Sequence, residues 1–331
     1  MQLFTEVSCK TPPFQLSHRD KILLMGSCFS TEVGEKLQKS KFPVLVNPFG
    51  TLFHPWAVET ALSRIYTLQF YTENEIFHYQ DLYFSWDHST LFSRPKLTET
   101  LTNINEKLEI AHEHTQQSHA FVFTLGTAWV YELKKAKITV GNCHKVPSSQ
   151  FHKFLMSPAE IFKALKNCVE ICLDLNPEAK IIFTISPVRH WRDGAHDNQL
   201  SKSSLFLGLE KVLEDYPQAV YYFPSYEIIL DELRDYRYFK SDLLHPNETA
   251  INFVWEKFSH LFFSSETLNL NQKVETLNQA MAHRPRNPNT LAHRKFLYDT
   301  LKKAEKLSIN FPKGSFDEEI KILKEKIHHV Y

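Results

Sequence analysis

No stretch of the 331-residue chain approaches the ~18 consecutive apolar residues that a membrane-spanning helix requires, so no span is predicted. An excess of one charge is also missing. Lys plus Arg number 38 and Asp plus Glu number 38, which removes any electrostatic case for nucleic acid or an anionic membrane as partner. Met1-Gln2-Leu3-Phe4-Thr5-Glu6 has neither the basic segment nor the apolar core of a secretory signal, so a cytoplasmic protein is expected. Cysteine is sparse and odd in number. Cys9, Cys28, Cys143, Cys168 and Cys172 lack zinc-site spacing and suit reduced thiols better than disulfides. Internal repeats and low-complexity tracts are absent too. What is present is an ordinary globular composition, 43% hydrophobic and 23% charged, with 26 Phe and 13 Tyr to build an aromatic-rich interior. That length suits one large domain with an appendage.

Short apolar runs at Ile22–Met25, Pro43–Val46, Ala120–Leu125, Lys180–Ser186 and Ala219–Phe223 read as buried strands. Helical patterns lie between and after them, at roughly 31–40, 55–69, 99–117, 157–175, 198–216 and 247–264. Such alternation predicts a three-layer α/β/α fold with a central parallel sheet covered on both faces. Cys168 and Cys172, one turn apart in an apolar segment, read as core. Residues 70–98 interrupt the alternation as an insertion with hairpin character, and 132–152 read as a second irregular stretch. After about residue 265 come three polar helices, Thr267–Ala282, Pro288–Leu307 and Ser315–His329, without an active-site motif. The chain thus divides into an α/β domain, 1–264, and a helical extension, 265–331, which suits an interaction module for a protein partner.

Gly26-Ser27-Cys28-Phe29-Ser30 follows the first strand run directly. A buried strand that breaks at glycine into small nucleophilic side chains and then enters a helix exposes a nucleophile. The helix N-terminus offers free N–H groups to a developing anion, and a thiol there is expected to have a lowered pKa. The same pattern also describes a plain tight turn, with Cys28 as filler and Ser27 as helix cap. Ser241-Asp242-Leu243-Leu244-His245-Pro246-Asn247 is the second informative segment. Three residues apart at a turn, Asp242 can hold the His245 ring so that its other nitrogen faces a nucleophile. Part of this segment is explained by Asn247 capping the next helix.

These motifs, in this order, resemble the SGNH/GDSL superfamily of esterases and acyltransferases, and more closely its GSCFA branch. Gly26-Ser27-Cys28-Phe29 matches the branch motif, with Ser30 where the branch name has Ala. Asn47-Pro48-Phe49-Gly50, Thr124-Leu125-Gly126-Thr127-Ala128-Trp129, Asn142-Cys143-His144-Lys145, Ser186-Pro187-Val188-Arg189-His190 and Asp242-Leu243-Leu244-His245-Pro246 are similar to further segments of that branch. The resemblance spans about residues 20–262 and implies a flavodoxin-like sheet. It also implies a triad whose nucleophile sits in the first motif and whose Asp and His come from D-x-x-H. Its register places Cys28 on the nucleophile; a one-residue slip would place Ser27 there. Gly50 falls on a glycine whose N–H points at the oxyanion, whereas Gly126-Thr127-Ala128 lacks the Asn donor that the superfamily carries in its third block. Loss of one oxyanion donor costs about 3–4 kcal/mol of transition-state stabilisation, so Thr127, Asn142 or the Cys28 N–H would have to compensate.

Arg189 and His190, with Arg192, follow a strand end and suit a phosphate or sugar-acid group. Asp87-His88 and Asn142-Cys143-His144 can enter the pocket as substrate contacts. A metal site from Cys143 and His144 has no third ligand at a supporting spacing, and no cofactor is expected. The leading expectation is an esterase or O-acyltransferase acting on a glycan or small-molecule ester. The rivals are a catalytically degenerate binding or assembly protein and a thiol enzyme of the thioesterase or amidase-like kind.

Overall fold

The chain is described as a computed structural model covering residues 5–329, so Met1 to Phe4, read above for a targeting signal, lie outside the described residues. The strands are β1 (Ile22–Gly26), β2 (Val44–Val46), β3 (Ile76–Tyr79), β4 (Leu82–Ser85), β5 (Ala120–Leu125), β6 (Trp129–Leu133), β7 (Ile138–Val140), β8 (Phe151–Leu155), β9 (Lys180–Ile185) and β10 (Val220–Tyr222). The helices of the α/β domain are α1 (Cys28–Lys39), α2 (Pro55–Thr67), α3 (Leu97–Thr115), α4 (Pro158–Leu175), α5 (Ala195–Asp215), the single turn α6 (Ser225–Glu227) and α7 (Glu248–Phe262). Three more follow: α8 (Ser265–Ala282), α9 (Leu291–Ser308) and α10 (Asp317–His329).

Five strands form one parallel sheet in the order β10-β9-β5-β1-β2. Counting only these strands along the chain, the order is 2-1-3-4-5, the flavodoxin-like winding. Alternation along each strand sends side chains to two cores. Leu23, Met25, Phe121, Phe123, Ile181 and Phe183 pack under α2, α3, α4 and α5. Ile22, Leu24, Ala120, Val122 and Ile182 pack under α1 and α7. Strands whose two faces are both covered read as continuous apolar runs, which is why they are visible in the sequence. Cys168 and Cys172 are fully buried in the first core.

Local chemistry sets the helix starts. Ser157 and Glu160 form a reciprocal capping box with Pro158 at the first position of α4. Asn247 caps α7, its side chain accepting the Ala250 N–H at 3.1 Å. One start differs from expectation. Helix α1 begins at Cys28, not Thr31, because Ser27 is already the extended N-cap and the Ser30 N–H closes onto the Ser27 carbonyl at 2.9 Å.

The insertion at 70–98 carries the antiparallel hairpin β3–β4, whereas 132–152 is not irregular. It contributes most of a three-stranded antiparallel sheet, β7-β6-β8. These strands are short and half-exposed, and lysines crowd the turn at 134–137, so their alternation is faint. The hairpin and this small sheet pack together through Phe77, Trp86, Val140 and Phe151.

Helices α8 to α10 surround their own apolar cluster, including Val274, Leu297, Leu301, Phe316 and Leu323. They lean on the C-terminal end of α1. Asn278 donates to the Lys39 carbonyl at 2.9 Å, Lys41 pairs with Glu319, and the His18 ring meets Asn271 at 2.8 Å. This contact is at the opposite end of α1 from Cys28.

Candidate active site

In a doubly wound sheet the ligand crevice lies beyond the carboxyl ends of the strands, where the chain switches direction across the sheet. Here that point falls between β1 and β5, which pair in register from Ile22–Ala120 to Gly26–Thr124. Two residues beyond the last pair come Cys28 on one strand and Gly126 on the other. The β1 exit is tight. Gly26 adopts φ +136°, and the Ser27 N–H donates to the Thr124 carbonyl at 3.1 Å.

Ser27 and Cys28 meet different fates in this turn. The Ser27 hydroxyl is sealed inside without a hydrogen-bond partner, at 2% residue exposure. Cys28, the first residue of α1, is half-buried. Its thiol is pushed up from its ordinary value, chiefly by burial and secondarily by the Glu32 carboxylate one turn along. The N–H groups of Phe29 and Cys28 and the charge of Lys202 oppose this shift without overcoming it. The expected lowering at the helix N-terminus is therefore corrected: desolvation outweighs the amide dipoles.

His245 and Asp242 lie in the loop before α7. The Asp242 Oδ2 to His245 Nδ1 distance is 2.7 Å, while Oδ1 accepts the N–H groups of Leu244 and His245 at 2.9 and 3.0 Å. These bonds hold the carboxyl down to about 2, the His245 backbone N–H contributing most. Asp242 is thus an anion at any working pH and fixes the ring with Nδ1 as donor. Nε2 is left without a partner, and no hydrogen bond joins it to Cys28 among the described residues.

The expected oxyanion donors are already engaged. The Gly50 N–H donates to the Asn47 carbonyl at 2.7 Å, closing its own turn. Gly126 and Thr127 both give their N–H to the Phe53 carbonyl, at 2.7 and 2.9 Å. The Thr127 hydroxyl accepts from Trp129 N–H at 3.0 Å and lies 3.0 Å from Ser201 Oγ, which also accepts the Ala128 N–H at 2.7 Å. Gly50, Gly126 and Thr127 thus shape the rim without offering a free donor. The amides of Cys28 and Phe29 at the start of α1 face the sulfur instead.

Asn142 and His144 belong to the scaffold in this structure. Asn142 Oδ1 accepts the His144 N–H at 2.8 Å, and His144 Nε2 lies 2.7 Å from the Ser85 carbonyl, with its ring against Phe84. Asp87 accepts the Tyr71 hydroxyl at 2.8 Å, and His88 stacks on Phe49 at 4.2 Å. His144 ties the segment after β7 to the hairpin, Asp87 and His88 pack against Tyr71 and Phe49, and none of the four has a contact with Cys28 among the described residues. Among the described residues no three His, Cys, Asp or Glu side chains gather as a metal site, and no helix is long and apolar enough to cross a membrane.

Arg189 and His190 do reach the site. Arg189 forms no ion pair among the described residues and borders a cleft of about 500 Å3 with Asp242, Trp191, Phe239 and Tyr236. Trp191 and Tyr236 are 54% and 73% exposed, an open aromatic surface beside Asp242. His190 sits edge-on to Phe53 and within electrostatic reach of both His245 and Lys202; burial holds it down to about 4, so it is neutral.

Lys202 was not anticipated. It is fully buried on α5 and donates to the carbonyls of Gly126 and Ser186, both at 2.6 Å. The signal was there: Lys202, Leu205, Leu209 and Val212 fall on one helical stripe, which puts a lysine on the face that packs against the sheet.

Buried neutral histidines carry a pH consequence. Desolvation holds His54 and His144 down to about 4 and His88 to about 3. The unfolded chain would bind these protons from about pH 6.5. Stability is therefore full above that value and falls as pH drops toward 4. His54 alone, which caps α2, accounts for roughly 3 kcal/mol of the loss. Urea midpoints measured from pH 7 to pH 4 should fall steeply; a flat profile would contradict these neutral rings.

A doubly wound α/β protein with a thiol turn after β1 and an Asp–His dyad before its last sheet-covering helix is the class defined by this geometry. The GSCFA family matches residues 21–258, and the family described as GSCFA domain protein, C-terminal domain, matches residues 274–329. The chain belongs to the GSCFA family. A carbohydrate esterase family 3 structure from Talaromyces cellulolyticus is similar over 78% of this chain and 99% of that one, at 10% identity and TM-score 0.34. No curated protein matches the chain.

Proposed function

We propose that this GSCFA protein is an SGNH-like esterase or O-acyltransferase that works through an acyl-Cys28 intermediate. The observation that carries the reading is the 2.7 Å Asp242–His245 pair at the end of the sheet where the β1 turn presents Cys28. In the first half-reaction the Cys28 thiolate attacks the ester carbonyl. A C–S bond forms, the C–O bond to the alcohol breaks, and protonated His245 gives its Nε2 proton to the leaving oxygen. In the second, water or an acceptor hydroxyl attacks the thioester, His245 takes its proton back, and the thiolate is released. Asp242 holds the tautomer and supports the imidazolium, and the Cys28 and Phe29 amides are the donors best placed for the oxyanion. An aromatic-lined cleft with an unpaired Arg189 suits a glycan or small-molecule ester, stacked on Trp191 or Tyr236.

Acyl-enzyme trapping tests this. Incubation with an activated acetyl ester should add one acetyl group to the intact protein. Ser27→Ala should be acylated like wild type, whereas Cys28→Ala should remain unmodified at the site. Equal acylation and turnover by Cys28→Ala would remove the reading. A second reading, a binding or assembly protein on the same fold, is favoured by the engaged Gly50, Gly126 and Thr127 donors. It predicts no adduct and no turnover on a broad ester panel, and loss of partner capture on deletion of 265–331.

A further inference from the structure

Arg189 carries a charge that nothing among the described residues neutralises. It follows the carboxyl end of β9, is half-buried, and lines the cleft of about 500 Å3 that also holds Asp242. Its guanidinium has no carboxylate within ion-pair distance and no hydrogen-bond partner among the described residues. A guanidinium presents its N–H donors in a rigid planar fork, which matches two acceptor oxygens side by side.

The other charges of the cleft are engaged. Arg234 pairs with Asp231 at 3.2 Å, and Asp235 pairs with Arg237 at 3.3 Å. Asp242 accepts the N–H groups of Leu244 and His245 and holds the His245 ring. Buried Lys202 is close enough for Arg189 to oppose its charge, and it also lacks an ion pair among the described residues. His190, held neutral, adds nothing. The corner around Arg189 is therefore positive. Withdrawn in part from water and unpaired, the guanidinium gives up hydration that an anionic ligand group would return as charge-assisted hydrogen bonds.

We propose that Arg189 is the specificity-determining residue of this cleft and that it selects a sugar ring bearing a carboxylate. Resting on the esterase reading for the ester bond, this makes the substrate an O-acylated sugar acid. The carboxylate takes two parallel hydrogen bonds from the Arg189 fork. The apolar face of the ring lies on the open surface of Trp191 and Tyr236, which border the same cleft. A carboxylate fits better than a phosphate monoester. Its single charge matches the one unpaired cation of the lining, whereas a second negative charge would face the Asp242 anion in the same cleft.

Three ligands that share one pyranose ring test this by isothermal titration, with no ester present: methyl glucoside, methyl glucuronide and methyl glucoside 6-phosphate. At pH 7.5 the wild-type protein should bind the glucuronide about 10–100-fold more tightly than the glucoside, and more tightly than the phosphate. Arg189→Gln should bring the glucuronide down to the affinity of the glucoside. The Trp191→Ala, Tyr236→Ala double variant should weaken all three ligands and keep the preference for the carboxylate. Glucuronide bound no more tightly than glucoside by wild type overturns the proposal, and so does a preference that survives Arg189→Gln. Tighter binding of the phosphate overturns the carboxylate, and unchanged affinities in the double variant overturn the placement of the ring. The wild-type series decides by itself if Arg189→Gln does not fold. A carboxylate preference without an acyl adduct on Cys28 would sink the esterase reading alone; an adduct without the preference would sink the sugar-acid assignment alone.

Discussion

Asp242→Asn should lower turnover of an activated ester by about 10²–10⁴-fold while leaving the fold and Cys28 alkylation intact. The asparagine oxygen can still accept the N–H groups of Leu244 and His245, so the loop keeps its shape. What changes is the ring. An amide NH2 facing Nδ1 cannot accept a proton from it, so the favoured tautomer carries its hydrogen on Nε2, the atom that must take one. Loss of the carboxylate also removes support for the imidazolium. The open setting of the dyad, with side chains 44% and 47% exposed, places the effect below that of a fully buried triad. Stopped-flow kinetics would separate the two halves. Both acylation and deacylation should slow, because His245 moves a proton in each. Unchanged rates in both would show that the dyad is a loop clip.

Gly26→Ala should destabilise the protein by about 3 kcal/mol or more and lower Tm by at least about 5 °C. A Cβ at this position would meet the Thr124 carbonyl oxygen at 2.2 Å and its amide nitrogen at 2.8 Å, with φ at +136°. Both contacts are backbone atoms of the adjacent central strand, so neither can rotate aside. Relief would require β1 and β5 to separate just where Cys28 and Gly126 leave the sheet. Gly194→Ala is the matching control. Its φ of +84° with ψ of 161° is also a glycine-only conformation, but a Cβ there meets nothing within 4 Å, so only the conformational cost, about 1–3 kcal/mol, is expected. Calorimetry on the pair separates contact from conformation. Equal losses would mean that the Thr124 contact yields.

Much of the architecture was legible along the chain because burial on both faces leaves a one-dimensional trace. Ile22–Met25 is wholly apolar, Ala120–Leu125 and Lys180–Ser186 are mostly so with Thr124 and Thr184 inside them, and each is a strand of the central sheet. Short half-exposed strands leave almost no such trace. Trp129–Leu133 and Phe151–Leu155 pair across a long sequence separation, and the pairing partner, not local composition, makes them strands. The same holds for the site. Asp242 and His245 are three residues apart, so their contact is local and readable. His144 looked equally chemical in sequence, but it is turned into an aromatic cluster by Phe84 and the Ser85 carbonyl, sixty residues earlier.

Sequence alone determined the parallel α/β class, the turn after β1, the Asp–His pair and the polar helices that follow the domain. These depend on periodicity and on neighbours along the chain. Only the tertiary structure decided that the Ser27 hydroxyl is sealed in while Cys28 reaches the crevice, and that burial raises the thiol. It also decided that Gly50, Gly126 and Thr127 have no N–H to spare and that a lysine from α5 is buried against the Gly126 and Ser186 carbonyls. The physical reason is common to all four. Desolvation and hydrogen-bond competition depend on which atoms share a volume, and here those atoms come from strands and helices distant in the chain.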